Sequence, residues 1–188
     1  MSKNAKCSIL CAAIVLIAAL GTRAQAVKTG DVAPDFTLAA ASGKPITLSE
    51  AVKDAPVVLV FYRGYWCPFC VGQLAELRGL LAANEKTTLY AISVDPADKT
   101  KQLVGKIEKD GKGKVLYTFL SDPGAKTIDA YNLRDPRYAG EKFDGIPYPA
   151  VYVIGAGRKV IWAKIEKDYK NRPTNAEIRA AIERAKLD

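Results

Sequence analysis

Histidine is absent from all 188 residues of the chain. Without an imidazole, no cysteine here can be activated by a neighbouring histidine, as happens in cysteine hydrolases. Hydrolases of that type are therefore excluded as candidate functions. Any reactive thiol in this protein must be activated by a helix N-terminus or by nearby cations.

The N-terminal apolar run is too short for a membrane-spanning helix. Residues 7–20 hold 14 residues, whereas a spanning helix needs about 20. Lys3 and Lys6 precede this run, and the small-residue sequence Ala-Gln-Ala at 24–26 follows it. The pattern predicts a cleavable signal peptide over 1–26 and one domain over 27–188. An uncleaved anchor is the alternative. We expect an exported protein, periplasmic or secreted, with no stable membrane association after cleavage.

Few cysteines remain if the signal peptide is removed. Cys7 and Cys11 leave with it, and the mature chain keeps Cys67 and Cys70. Disulfides persist in an exported protein's surroundings, so this pair can rest oxidised and needs a dedicated electron source to cycle.

A concentrated block of basic residues is also missing. The chain has 28 basic and 20 acidic residues, and loss of Lys3, Lys6 and Arg23 lowers the net charge from +8 to about +5. The remaining lysines are scattered among acids, and no nucleic-acid-binding motif is present. We therefore expect no nucleic-acid partner.

The order of apolar segments predicts a three-layer α/β/α domain with a mixed central sheet. An N-terminal hairpin-like piece precedes alternating strands and helices, and an antiparallel hairpin and a helix that starts at a capping box of Thr174 and Glu177 close the domain. The interval 132–149 reads as a long loop, and such loops are often functional. The predicted strands are 57–62, 88–94, 115–120, 150–154 and 159–165, and the predicted helices are 70–84, 96–110, 122–131 and the segment after Thr174.

The motif Cys67-Pro68-Phe69-Cys70 lies where the first buried strand meets a helix. A helix N-terminus stabilises a thiolate, and Pro68 suits the first helical position. Arg63 is the nearest cation along the sequence. Two thiols within one helical turn predict a reversible disulfide.

Three other interpretations of the motif remain open. Zinc binding needs about four ligands, and the chain offers neither histidine nor a second pair like this one. A purely structural disulfide gains little, because a four-residue loop removes little entropy from the unfolded chain. An inert binding module is the third. We expect neither a cofactor nor a metal.

The segment 61–70, FYRGYWCPFC, resembles the peroxiredoxin family (alkyl hydroperoxide reductase and thiol-specific antioxidant proteins), in the branch that carries a thioredoxin-style C-x-x-C. Residues 35–38, 149–154 and 168–173 are also similar to that family. The resemblance covers the chain from about Gly30 to its C-terminus. It implies a thioredoxin-like fold with additional N-terminal strands.

The resemblance implies roles for single residues. The family pattern Pro-x-x-x-Thr-x-x-Cys gives the peroxide-attacking role to Cys70, with Arg63 in place of the proline and Cys67 in place of the threonine. Pro149 stands where the family has a second arginine. Thioredoxins provide a different match through Trp66, Cys67 and Pro149, which implies that Cys67 attacks first, Cys70 resolves, and the Tyr148–Pro149 bond is cis.

Two functions follow from these matches. In the first, the Cys67/Cys70 pair reduces hydroperoxides and is regenerated by thioredoxin or another external thiol donor. In the second, the pair exchanges disulfides with protein substrates, with Cys67 as the nucleophile.

Overall fold

A computed structural model describes residues 25–82 and 84–187. Seven strands and five helices follow one another along these residues, and they alternate except at the consecutive strand pairs near the two ends of the domain. The strands are β1 (Thr37–Ala40), β2 (Pro45–Thr47), β3 (Val57–Phe61), β4 (Thr88–Ser93), β5 (Thr118–Ser121), β6 (Ala150–Ile154) and β7 (Val160–Ile165), and the helices are α1 (Leu48–Ala51), α2 (Pro68–Glu76), α3 (Ala97–Glu108), α4 (Lys126–Ala130) and α5 (Asn175–Ala185). The predicted signal peptide falls almost wholly outside the described residues and stays a prediction.

The strands form one mixed sheet in the order β2-β1-β5-β4-β3-β6-β7. β3 pairs with β4 in parallel and with β6 antiparallel, so it is an interior strand next to the central strand β4. All five of its residues are buried, which explains its unbroken apolar sequence. The N-terminal hairpin β1–β2 extends the sheet beyond β5, as expected.

Alternate residues of β3 point into two separate cores. Val58 and Val60 pack with the helices α2, α3 and α5, whereas Val57, Leu59 and Phe61 pack with residues of α1 and α4 on the other face. This period of two is the normal alternation of a strand. The domain therefore has the predicted three layers, and both thiols of the motif belong to the α2–α3–α5 side.

Several details differ from the sequence predictions, among them helix α4, which starts at Lys126, four residues after the predicted start at Asp122. Helix α2 ends at Glu76 and continues only as a 3-10 turn, and there the Arg78 guanidinium donates to the Ala75 carbonyl and also binds Asp110 beyond α3. β5 starts three residues later than predicted. The prediction of a cis bond before Pro149 is wrong, since the described residues contain no cis peptide. There the Tyr148 N–H donates to the Leu133 carbonyl as the chain enters β6.

Candidate active site

A tight turn after β3 sets the position of the motif. Gly64 has φ of +155°, and a Cβ atom at this position would lie 2.7 Å from Trp66 Nε1. Only glycine fits this turn without displacing the indole. The Gly64 carbonyl then accepts a hydrogen bond from the Cys67 N–H at 3.1 Å. Cys67 is thereby fixed at the N-cap of α2, with Pro68 at the first helical position as predicted.

A buried carboxyl group supports the same turn. Asp95 lies just beyond β4, and its Oδ2 accepts the Tyr65 N–H at 2.6 Å. Burial raises the pKa of Asp95, although the hydrogen bond from Tyr65 opposes this effect. Asp95 could not be selected from the sequence, because nothing in the local pattern separates it from a surface acid at a strand end.

The two thiols lie together in the first turn of α2 and form no disulfide. Cys67 is 1% exposed and Cys70 is fully buried. A hydrogen bond from the Cys70 thiol, opposed by burial and helped by Arg172 and Arg63, lowers the pKa of Cys67 to about 6. The same hydrogen bond and burial raise the pKa of Cys70. Cys67 is therefore the more acidic thiol of the pair.

Cys67 lines a cleft with a volume of about 290 Å³. Most of its walls are aromatic: the Trp66 and Phe143 rings stack with centroids 4.5 Å apart, and the Phe69 and Tyr169 rings meet edge to face at 5.6 Å. Phe69 is 40% exposed at the rim. The full lining is Arg63, Trp66, Cys67, Pro68, Phe69, Tyr138, Phe143 and Tyr169. Cys70 and Pro149 are not part of it.

The predicted long loop supplies one wall of this cleft. Tyr138 is the last residue of the short 3-10 turn at Pro136–Tyr138, and Phe143 lies five residues further along. Both are far in sequence from the motif that they cover. The expectation that this loop is functional agrees with its position, but the two side chains could not be selected from sequence alone.

Arg63 is a buried cation at the cleft. It is only 3% exposed, and its Nη2 donates to the Tyr138 hydroxyl at 2.6 Å. Its guanidinium carbon lies 4.5 Å from the Tyr169 ring centroid and 5.1 Å from those of Trp66 and Tyr138. Among the residues that the structure covers, no carboxylate forms an ion pair with it. The rings therefore supply part of the stabilisation that a counter-ion gives elsewhere.

A second arginine, Arg172, reaches the pair from the segment between β7 and α5. Its Nη2 donates to Cys70 Sγ at 3.5 Å. In the sequence, residues 168–173 stand out only through their resemblance to the family, and that resemblance implies no role for this arginine. The one signal in the sequence is the position of Arg172 directly before Pro173 and the α5 capping box. Such a position holds the backbone fixed and can therefore present a side chain in a defined place.

The structure thus brings together five of the six residues that the sequence analysis selected. Arg63, Trp66, Cys67 and Pro68 line the cleft, and Cys70 lies beneath them. Pro149 is buried at the start of β6, outside the cleft lining. Within 25–82 and 84–187, no group of three or more acidic or cysteine side chains could hold a metal ion. No helix in those ranges is long and apolar enough to span a membrane.

Residues 29–163 match the model of the AhpC/TSA family. The chain is 29% identical over 134 residues to 1-Cys peroxiredoxin A of Oryza sativa subsp. japonica, a match that covers 70% of this chain and 60% of that protein. It is 32% identical over 128 residues to chloroplastic peroxiredoxin Q of Arabidopsis thaliana, covering 68% of this chain and 55% of the relative.

The crystal structure of peroxidoxin BcpB from Mycobacterium tuberculosis is similar to the whole described domain. Its TM-score is 0.66 at 25% identity, with 85% of this chain and 97% of that chain covered. The resemblance to peroxiredoxins and the thioredoxin-like fold predicted from the sequence are therefore confirmed. The chain spans about 60% of the length of the rice relatives that it matches.

Proposed function

The chain belongs to the AhpC/TSA family, and on that premise we propose that it is an antioxidant thiol peroxidase. In this proposal the Cys67/Cys70 pair reduces hydroperoxides and cycles between dithiol and disulfide. One observation carries it: Cys67, with a pKa lowered to about 6, lines an aromatic cleft while a second thiol lies within the same helical turn. A thiolate is the form that attacks an O–O bond, and the neighbouring thiol protects the oxidised product.

The proposed cycle begins with Cys67. Its thiolate attacks the distal oxygen of the hydroperoxide, the O–O bond breaks, and the alkoxide leaves as an alcohol after taking a proton from water. The product is a sulfenic acid on Cys67. The Cys70 sulfur then attacks the Cys67 sulfur, the S–O bond breaks, and the oxygen leaves as water with the proton of Cys70.

Assigning the first attack to Cys67 reverses the role that the family pattern gives to Cys70. The physical reason is position at the cleft and charge together. Cys70 is fully buried and its pKa is raised, whereas Cys67 lines the cleft as the more acidic thiol. A buried neutral thiol reacts with peroxide far more slowly than a thiolate.

An external thiol donor completes the cycle by reducing the disulfide. The donor can be a thioredoxin-like protein or a small thiol, because either can attack the Cys67 sulfur from the cleft. Export to an oxidising compartment is part of the same proposal. There the pair returns to the disulfide unless a dedicated donor reduces it.

Protein disulfide exchange is the second candidate function. The exposed Phe69 ring at the rim and the N-cap position of Cys67 favour it, since an apolar rim beside a nucleophilic thiol suits a bound peptide. The trans bond at Pro149 removes one of the thioredoxin features on which this candidate relied.

Stopped-flow oxidation of the reduced protein distinguishes the candidates. Trp66 stacks in the cleft wall next to Cys67, so its fluorescence should follow the reaction. With hydrogen peroxide or cumene hydroperoxide, we expect a rate well above that of free cysteine. Cys70→Ser should accumulate a dimedone-reactive sulfenic acid on Cys67, and Cys67→Ser should be inert. A rate equal to that of free cysteine would reject the peroxidase. Activity kept in Cys67→Ser but lost in Cys70→Ser would give the first attack to Cys70.

A further inference from the structure

Arg172 brings a positive charge to the buried side of the dithiol. Its Nη2 is the group that contacts Cys70 Sγ. Nη1 donates to the backbone carbonyls of Tyr169 and Asn171. Nε is buried and has no partner. No acidic side chain in the described part of the chain forms an ion pair with this guanidinium. The Cys70 sulfur is therefore the contacting group that can act as its counter-ion.

The backbone around Arg172 is held in place. Pro173 follows directly and is buried. Thr174 and Glu177 then form a complete capping box at the start of α5, with the Thr174 N–H bound to Glu177 Oε2 at 2.7 Å. Proline and a capping box both restrict the chain at this point. The guanidinium is therefore presented to Cys70 by a fixed segment, and the two carbonyl contacts set its orientation.

The two arginines at the site lie on different sides of the pair, although both favour the Cys67 thiolate. Arg63 lies in the cleft wall, where its Nη2 is engaged by the Tyr138 hydroxyl. Arg172 is absent from the cleft lining and contacts the inner sulfur. Charge that develops on Cys67 lies beside the cleft, whereas charge that develops on Cys70 lies beside Arg172.

We propose that Arg172 is a catalytic residue that stabilises negative charge on the Cys70 sulfur while this atom attacks Cys67. The proposal rests on the proposed function for the nature of the oxidised Cys67. In that step the S–H bond of Cys70 breaks, the S–S bond forms and the S–O bond of the sulfenic acid breaks. The proton leaves with the oxygen as water, and Arg172 stays protonated throughout. An arginine is suited to this task because it keeps its charge and aims its donors in a fixed plane.

The kinetic test follows the second step after one equivalent of peroxide. Arg172→Gln removes the charge, Arg172→Lys keeps the charge but not the planar donors, and Arg184→Gln removes an exposed arginine from α5 as the matched control. We expect Arg172→Gln to slow disulfide formation by about tenfold to a hundredfold and to move its pH profile upwards. Arg172→Lys should fall between Arg172→Gln and the wild type, and Arg184→Gln should match the wild type. Resolution by Arg172→Gln at the wild-type rate and pH profile overturns the proposal.

An equilibrium measurement keeps the test independent of the peroxidase activity. In glutathione buffers at pH 7, loss of Arg172 should destabilise the dithiol form, because the same guanidinium also favours the Cys67 thiolate. We expect the equilibrium to shift toward the disulfide by about tenfold, which corresponds to about 30 mV. An unchanged equilibrium in both Arg172→Gln and Arg172→Lys would reject the role of Arg172. If wild-type protein forms no sulfenic acid while this shift is present, the proposed function fails and the electrostatic role of Arg172 stands. A structural role alone would lower thermal stability and leave the pH profile and the equilibrium unchanged.

Discussion

Replacing Cys70 should change the acidity of Cys67 in a manner that depends on whether the new side chain can donate a hydrogen bond. The Cys70 thiol is the main cause of the lowered pKa of Cys67, ahead of the two arginines. Serine at position 70 keeps an O–H donor, and alanine keeps none. We therefore expect Cys70→Ser to hold the pKa of Cys67 near its present value and Cys70→Ala to raise it.

The size of the effect follows from the acidity of an ordinary thiol. With a pKa of about 6, Cys67 is about 90% thiolate at pH 7, whereas a thiol with a pKa of about 8.5 is about 3% thiolate. At pH 6 the corresponding fractions are about 50% and about 0.3%, a ratio of about 150. Arg172 and Arg63 remain in the alanine variant, so its pKa should lie between these two limits.

The assay is the rate of Cys67 alkylation by iodoacetamide from pH 4.5 to 9.5, read by mass spectrometry in both single variants. The midpoint for Cys70→Ser should be near pH 6, and that for Cys70→Ala should be distinctly higher. Equal midpoints near 6 would show that the hydrogen bond is not the cause of the acidity. Equal midpoints near 8.5 would show that Cys67 is not activated at all.

Two further predictions concern the framework around the site. Gly64→Ala should cost about 1–3 kcal/mol in the free energy of unfolding, because it places a Cβ against the Trp66 indole at a positive φ. Gly72→Ala, at an open helical position, should instead stabilise by up to about 1 kcal/mol, and urea titration of both variants measures the difference. Glu85 connects the loop before β4 to α5 through hydrogen bonds from Arg179 and Lys186. Burial raises the pKa of Glu85, but these hydrogen bonds outweigh burial and lower the pKa to about 2. The stability that this lowered pKa provides is complete above about pH 4.5 and disappears as the pH falls toward 2. In Glu85→Gln, the free energy of unfolding should therefore fall less steeply than in the wild type as the pH is lowered from about 4.5 toward 2. A fall identical to that of the wild type would contradict this role of Glu85.

Short-range patterns predicted the parts of the fold that depend on nearby residues. The unbroken apolar segment marked β3, and the spacing of Thr174 and Glu177 marked the start of α5. Pro68 after Cys67 marked the start of α2. Each of these signals reflects a contact within about one turn or one strand, where sequence and structure correspond closely.

Contacts between distant residues account for what the sequence did not predict. Arg172 lies 102 residues after Cys70, and Tyr138 lies 75 residues after Arg63. No periodicity or spacing links such pairs, because the sheet order brings them together only after the domain has folded. The cis bond at Pro149 was inferred from one matching residue type, and the hydrogen bonds around Tyr148 and Pro149 are made with a trans chain.

The departures of this chain from its family pattern are physically connected. A thiol stands at position 67, where the family pattern has a hydroxyl, and this N-cap residue is the more acidic of the two thiols, which is why we propose it as the nucleophile. Cys70 then becomes the buried partner, which needs a cation on its inner side rather than on the cleft side. Pro149 cannot provide that cation, whereas Arg172 contacts Cys70 from a different segment. If Cys67 attacks first, Arg172 is therefore the arginine whose loss should affect resolution, whereas both Arg172 and Arg63 favour the Cys67 thiolate that attacks the peroxide.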